Sequence, residues 1–169
     1  METIQFLARA LTAIPPQLAT VILAMLPVGE LRGALPVALT LYKLPLAEAM
    51  FWSIVGNMLP IYFLLVFFEK GAAWLQKHSP LADRLLQRLY ERTRRKLGRD
   101  VEKYGYWALT IFVAIPLPAT GAWSGALAAF VFGLPKKKAF LAILAGVVIA
   151  AVAVALLTLG AAATIKRFG

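Results

Sequence analysis

The chain has 169 residues, 61% of them hydrophobic and 15% charged, with a mean hydropathy of +0.77, against roughly 45–50% apolar and 25% charged in soluble domains. These values exclude a water-soluble globule, and with no Cys and a single His, His78, they exclude disulfides, thiol catalysis and Cys- or His-built metal centres as well. A formal charge of +10 in so apolar a chain points to loops on an anionic lipid surface, not to nucleic acid. Glu2 precedes any basic residue, so no secretory signal is read at the N-terminus.

Met1 to Ala13 carries Ile4, Leu7 and Leu11 at helical spacing and ends at Pro15 and Pro16, which predicts an interfacial helix. Leu18 to Leu44 is apolar but interrupted, because Pro27, Gly29, Gly33 and Pro36 fall within ten residues and Glu30 and Arg32 lie among them. A charge at the bilayer centre costs about 2.5–3.5 kcal/mol on insertion scales, and an eight- or nine-residue arm from Leu18 reaches about 13 Å, roughly half of a 30 Å core. The segment therefore reads better as a re-entrant hairpin than as a spanning helix. Ala47 to Phe68 follows as a full transmembrane helix, with Pro60 as a kink and Asn57 as its one strongly polar interior group.

Glu69 to Tyr104 holds ten basic and five acidic residues, which by the positive-inside rule makes it cytoplasmic. Ser79 caps and Pro80 opens an amphipathic basic helix with Leu81, Leu85, Leu86, Leu89, Tyr90 and Leu97 on one face. Lying on the anionic leaflet or packing on the membrane body is its expected role. Trp107 to Ile115 is then apolar, Pro116 to Gly125 is broken, Ala126 to Leu134 is apolar, and after Pro135 and three lysines a 26-residue apolar helix runs from Ala139 to Thr164.

The second half thus repeats the first. Leu44-Pro45 and Leu134-Pro135 each precede a full helix, and Gly56 and Gly146 each fall eleven residues after that proline. The expected fold is an all-α membrane protein, an inverted repeat of re-entrant hairpin plus transmembrane helix (15–68 and 105–165), with the basic amphipathic segment 69–104 between the halves. The hairpin tips meet at the midplane, the layout of secondary transporters.

Broken backbone at membrane depth implies a protected polar site at the tips. In the first, Arg32 offers five donors, and Gly33 and Pro36 are placed where the returning half-helix begins, so its N–H groups would face an anion. Glu30 would pair with Arg32 or take and release a proton. Pro27 punctuates this tip, and Asn57 supports it by bonding a tip backbone group. In the second, Pro116 and Pro118 stop the helix, Thr120 and Ser124 supply hydroxyls, and Gly121 and Gly125 allow close approach. Trp123 is an aromatic wall for a ligand or fills space between helices. Ala122 breaks the nucleophile pattern G-x-S-x-G, and His78 lies in the cytoplasmic segment, so no enzyme activity is expected. No cofactor or metal is expected either.

The segments PVGELRGALP (Pro27 to Pro36) and IPLPATGAWSG (Ile115 to Gly125) closely resemble the two hallmark segments of the small multidrug export family of integral membrane proteins. That family is in turn similar, more distantly, to the DedA and VTT-domain proteins. Those use two re-entrant hairpins in inverted repeat and are implicated in moving phospholipids or polyprenyl phosphate carriers. The resemblance implies a lipid function for Glu30, Arg32 and Gly33, although the second tip lacks the basic residue that DedA proteins tend to place there. The leading expectation is proton- or ion-coupled translocation of an anionic lipid headgroup in a prokaryotic inner membrane, with membrane lipids as partners. The little protein available to shield two polar tips also suggests a homodimer. The alternatives are a proton-coupled exporter of lipophilic cations using Glu30, and a non-transporting scaffold that needs Arg88 and Arg92 but not the tips.

Overall fold

The computed structural model describes residues 11–81, 83–85, 87, 88, 91, 100–115 and 120–168. After a 3-10 turn at Leu11–Ala13, the helices are α1 (Pro16–Met25), α2 (Glu30–Thr40), α3 (Leu46–His78), α4 (Asp100–Ala114), α5 (Ala122–Val131) and α6 (Lys136–Phe168). The described residues from 80 to 91 are also helical. The interfacial segment before Leu11, most of the basic helix after Leu85, and Pro116 and Pro118 lie outside the described residues.

Local chemistry sets the boundaries. Pro16 occupies the first turn of α1, where its missing N–H costs nothing. The helix stops at Leu26, whose ψ of 135° is extended, as a residue before proline prefers. The chain re-enters a helix at Glu30, six residues before Pro36, so Pro36 lies inside α2 and does not open it. A proline removes one N–H donor from the helix ladder, and the flanking bonds Gly33 N–H to Gly29 and Leu41 N–H to Val37 are kept. Likewise Trp123, Ser124 and Gly125, expected in the second tip, belong to the first turn of α5. The first ten residues of the expected 69–104 segment continue α3, and its last five begin α4.

Among the described residues two helices, Leu46–His78 and Lys136–Thr164, are long and apolar enough to cross a membrane. They pack against each other at the centre, with α1 against α3 and α4 against α6. Helices α2 and α5 each touch both long helices. The core runs through Leu31, Leu35, Ile61, Val113, Ile143 and Val147. Phe63, Phe67, Leu141 and Leu156 stand exposed on the outside, a surface suited to hydrocarbon. Among the described residues every regular element is helical.

The two halves correspond at a constant spacing. Helices α3 and α6 are each 33 residues long and start at 46 and 136, ninety residues apart. At the same spacing, Thr20 and Thr110 are both buried. Gly56 lies so close to α1 that a Cβ would stand 2.5 Å from the Val21 carbonyl oxygen, and Gly146 so close to α4 that a Cβ would stand 2.7 Å from the Thr110 carbonyl oxygen. Lys43 and Gly133, in the matching turns, both have positive φ, 52° and 64°. Only the glycine adopts that conformation without strain. Lys43→Gly is therefore expected to stabilise the protein by about 0.5–1 kcal/mol, the left-handed penalty less the entropic cost of glycine. A rise in the thermal unfolding midpoint in detergent is the check.

Candidate functional site

The site lies where the α1–α2 turn meets the break between α4 and α5. Glu30 is the first residue of α2. It is 8% exposed and has a φ of 47°, a left-handed conformation that costs a non-glycine residue of order 1–3 kcal/mol. Held so, its carboxylate reaches across to α5. Oε2 accepts from the Ala122 backbone N–H at 3.4 Å and Oε1 from the Trp123 N–H at 3.3 Å. These are the free N–H groups of a helix N-terminus, where the dipole also favours negative charge.

Arg32 makes the complementary contact. One guanidinium nitrogen donates to the Thr120 carbonyl; the other donates to the carbonyls of Val113 at 3.3 Å and Ile115 at 2.9 Å. The last two are the open C-terminal carbonyls of α4, the end at which a cation is favoured. The Thr120 hydroxyl donates to the Ile115 carbonyl at 2.7 Å and closes the same turn. One acid and one base of the first tip thereby cap both ends of the break in the second. The donors of Arg32, expected to meet an anion, are directed here at the backbone carbonyls of Val113, Ile115 and Thr120.

Gly121 sits beneath the Glu30 carboxylate. Its φ is 156°, and a Cβ there would collide with the carboxylate oxygens. Glycine is required at this point for both reasons. Gly125, in contrast, packs against Val113, 2.6 Å from where its Cβ would be, which is helix packing and not ligand access. Gly33 donates its N–H to Gly29 within the turn. Ser124 is half-buried on α5. Trp123 packs on the core with its indole Nε1 buried and without a partner among the described residues.

A small cavity, with room for about one water, is lined by Glu30, Leu31, Arg32, Asn57, Val113, Gly121, Ala122, Val147 and Ala150. Asn57 is 2% exposed. Its Oδ1 finds no hydrogen-bond partner among the described residues and does not bond a tip backbone group as expected. Three pairs of lining residues stand ninety apart, namely Leu31 with Gly121, Arg32 with Ala122, and Asn57 with Val147. The two halves therefore contribute equivalent positions to one point.

A larger cleft of about 510 Å³ opens elsewhere, between the end of α3, the turn before α6, Gln87 and Glu91. Glu69 and Lys136 meet there as an ion pair at 2.7 Å. Exposed pairs of this kind are screened by salt. His78, expected to be solvated, is exposed and stacks on Trp74.

Comparison with known proteins bears on this geometry. A family model described as "Putative small multi-drug export protein" matches residues 30–153, a range that opens at Glu30 within the first tip and contains the second. No curated protein and no solved structure matches the chain.

Proposed function

The chain belongs to the small multidrug export family, and from that premise we propose that it translocates an anionic lipid headgroup, a phospholipid or polyprenyl phosphate, in exchange for or together with a proton taken by Glu30. The observation that carries this reading is the position of the Glu30 carboxylate. A strained, buried acid occupies the N-terminus of α5, a ready-made anion seat, with Arg32 beside it. Protonated, Glu30 has no charge to hold it there, and a phosphate fits the vacated N–H groups while Arg32 provides the cation.

The architecture proposed around this site is an inverted repeat of two re-entrant hairpins. Helix α1 has 10 residues and α2 has 11, lengths of about 15 Å each, half of a hydrocarbon core. The ninety-residue correspondence supports the repeat. The basic excess between α3 and α4 supports the cytoplasmic placement of that segment in a prokaryotic inner membrane. The resemblance of the tips to DedA proteins favours a lipid over a soluble anion.

The test is thermal stabilisation of the purified protein by polyprenyl phosphate, anionic phospholipids and lipophilic quaternary cations, since a ligand that binds the folded state raises apparent stability by mass action. Each variant is compared with its own unliganded midpoint. Phosphate lipids should stabilise the wild type, and Arg32→Ala should lose the shift. Stabilisation by cations alone, lost in Glu30→Gln, would replace this reading with cation export.

A further inference from the structure

Buried polar groups normally find partners, and an unpartnered one costs about 1–3 kcal/mol. Helix α3 carries two in succession. Ser53 is fully buried and Asn57 is 2% exposed, and neither the Ser53 Oγ nor the Asn57 Oδ1 has a hydrogen-bond partner among the described residues. They are four residues apart, so they share one face of the helix.

Packing does not require them. At the equivalent positions of α6, ninety residues on, stand Ile143 and Val147, both buried in the core. Val147 and Asn57 border the same small cavity as Glu30. The second half fills these places with aliphatic side chains, whereas the first half keeps two oxygens there that nothing among the described residues satisfies. For Asn57, water is the partner that fits, because the cavity has room for about one molecule and offers it Asn57 and Glu30 together; Ser53 lies one helical turn away, on the same face of α3.

Resting on the assignment of Glu30 as the proton-coupling group, we propose that Ser53 and Asn57 form a hydrated proton path along α3, with Asn57 as the positioning residue that accepts a water-mediated hydrogen bond from protonated Glu30. A proton enters from bulk water at the α3 end nearer Leu46, passes the Ser53 hydroxyl, and is taken up by the Glu30 carboxylate. The new O–H then donates through the bridging water to Asn57 Oδ1. Among the described residues lining the cavity, the charged groups are Glu30 and Arg32. Asn57 from α3, Val113 from α4, Gly121 and Ala122 from α5 and Val147 from α6 carry no titratable side chain.

The experiment is an infrared titration of the protonated carboxyl band, assigned to Glu30 by its loss in Glu30→Gln. Asn57→Val, which copies the second half, removes the acceptor, so the protonated form is less favoured and the midpoint should fall by about one pH unit, tenfold in proton affinity. Asn57→Gln keeps the amide and should hold the midpoint near the wild-type value. Ser53→Ala should leave the midpoint in place but slow hydrogen–deuterium exchange of that carboxyl about tenfold. Asn57→Val and Ser53→Ala should each shift the thermal midpoint little, because each removes a buried polar group that no described protein group satisfies, together with its need for hydration.

A midpoint that stays or rises in Asn57→Val, or exchange that is unchanged in Ser53→Ala, would overturn the path while leaving the lipid reading to its own test. A Glu30 band that never titrates between about pH 4 and 9 would overturn both the path and the coupling role.

Discussion

Arg32→Ala should destabilise the protein by about 2–4 kcal/mol, more than loss of an ordinary surface arginine, because three carbonyls and a neighbouring buried acid lose their cation together. The guanidinium bridges Val113, Ile115 and Thr120, residues on both sides of the undescribed stretch 116–119, and so it fixes where α4 ends and α5 begins. Without it, the C-terminal carbonyls of α4 stay open in an apolar setting, and Glu30 keeps its charge with no counter-ion close by. Arg32→Lys should recover less than half of the loss, since an ammonium is a single point on a flexible stem and cannot span three acceptors as a planar fork does. Chemical unfolding in detergent reads both variants. A lysine variant as stable as the wild type would mean that charge alone, and not the fork, holds the break.

Gly121→Ala should cost about 3 kcal/mol, from two sources acting at one atom. A φ of 156° with a ψ of −172° belongs to glycine, and alanine there is strained by about 1–3 kcal/mol. The new methyl group also enters the space of the Glu30 carboxylate, so either the acid leaves the N-terminus of α5 or the helix start shifts. The two sources separate in a double-mutant cycle. Glu30→Ala removes the obstacle, and the double variant should be more stable than the sum of the single losses by about 1–2 kcal/mol. Strict additivity would show that the carboxylate does not sit over Gly121.

Much of this arrangement was legible in the sequence, and the part that was not has an identifiable cause. Prolines and glycines mark where helices break, so the two tips and both long helices were readable from punctuation and hydropathy. The end of α1 at Leu26 follows directly from Pro27. The ninety-residue correspondence is legible at Pro45 and Pro135 and at Gly56 and Gly146, because proline and glycine each satisfy a backbone requirement that few other residues meet. It was hidden at Lys43 and Gly133, where unlike residues share one backbone conformation, and at Asn57 and Val147, where unlike side chains share one cavity.

The partners of Arg32 were out of reach for a different reason. They are backbone carbonyls, which carry no residue signature, and they become available only because α4 stops. Glu30 stands out in the sequence as a charged residue within an apolar stretch. Its seat on α5 depends on a left-handed backbone that glutamate rarely adopts, and propensity gives no hint of it. Helix starts shifted for a related reason. Pro36 and the Trp123–Gly125 stretch look like breakers or loop, yet each lies within a helix whose first turn is anchored by the opposite tip.

The most direct measurement of the central claim is the number and sign of protons exchanged when the lipid binds, obtained by titration calorimetry in buffers of different ionisation enthalpy. If a phosphate headgroup displaces the Glu30 carboxylate from the N-terminus of α5, the freed acid takes up a proton. The account therefore predicts uptake approaching one proton per polyprenyl phosphate bound, abolished in Glu30→Gln. Binding without proton exchange, or proton release on binding a lipophilic cation with no response to phosphate lipid, would contradict it.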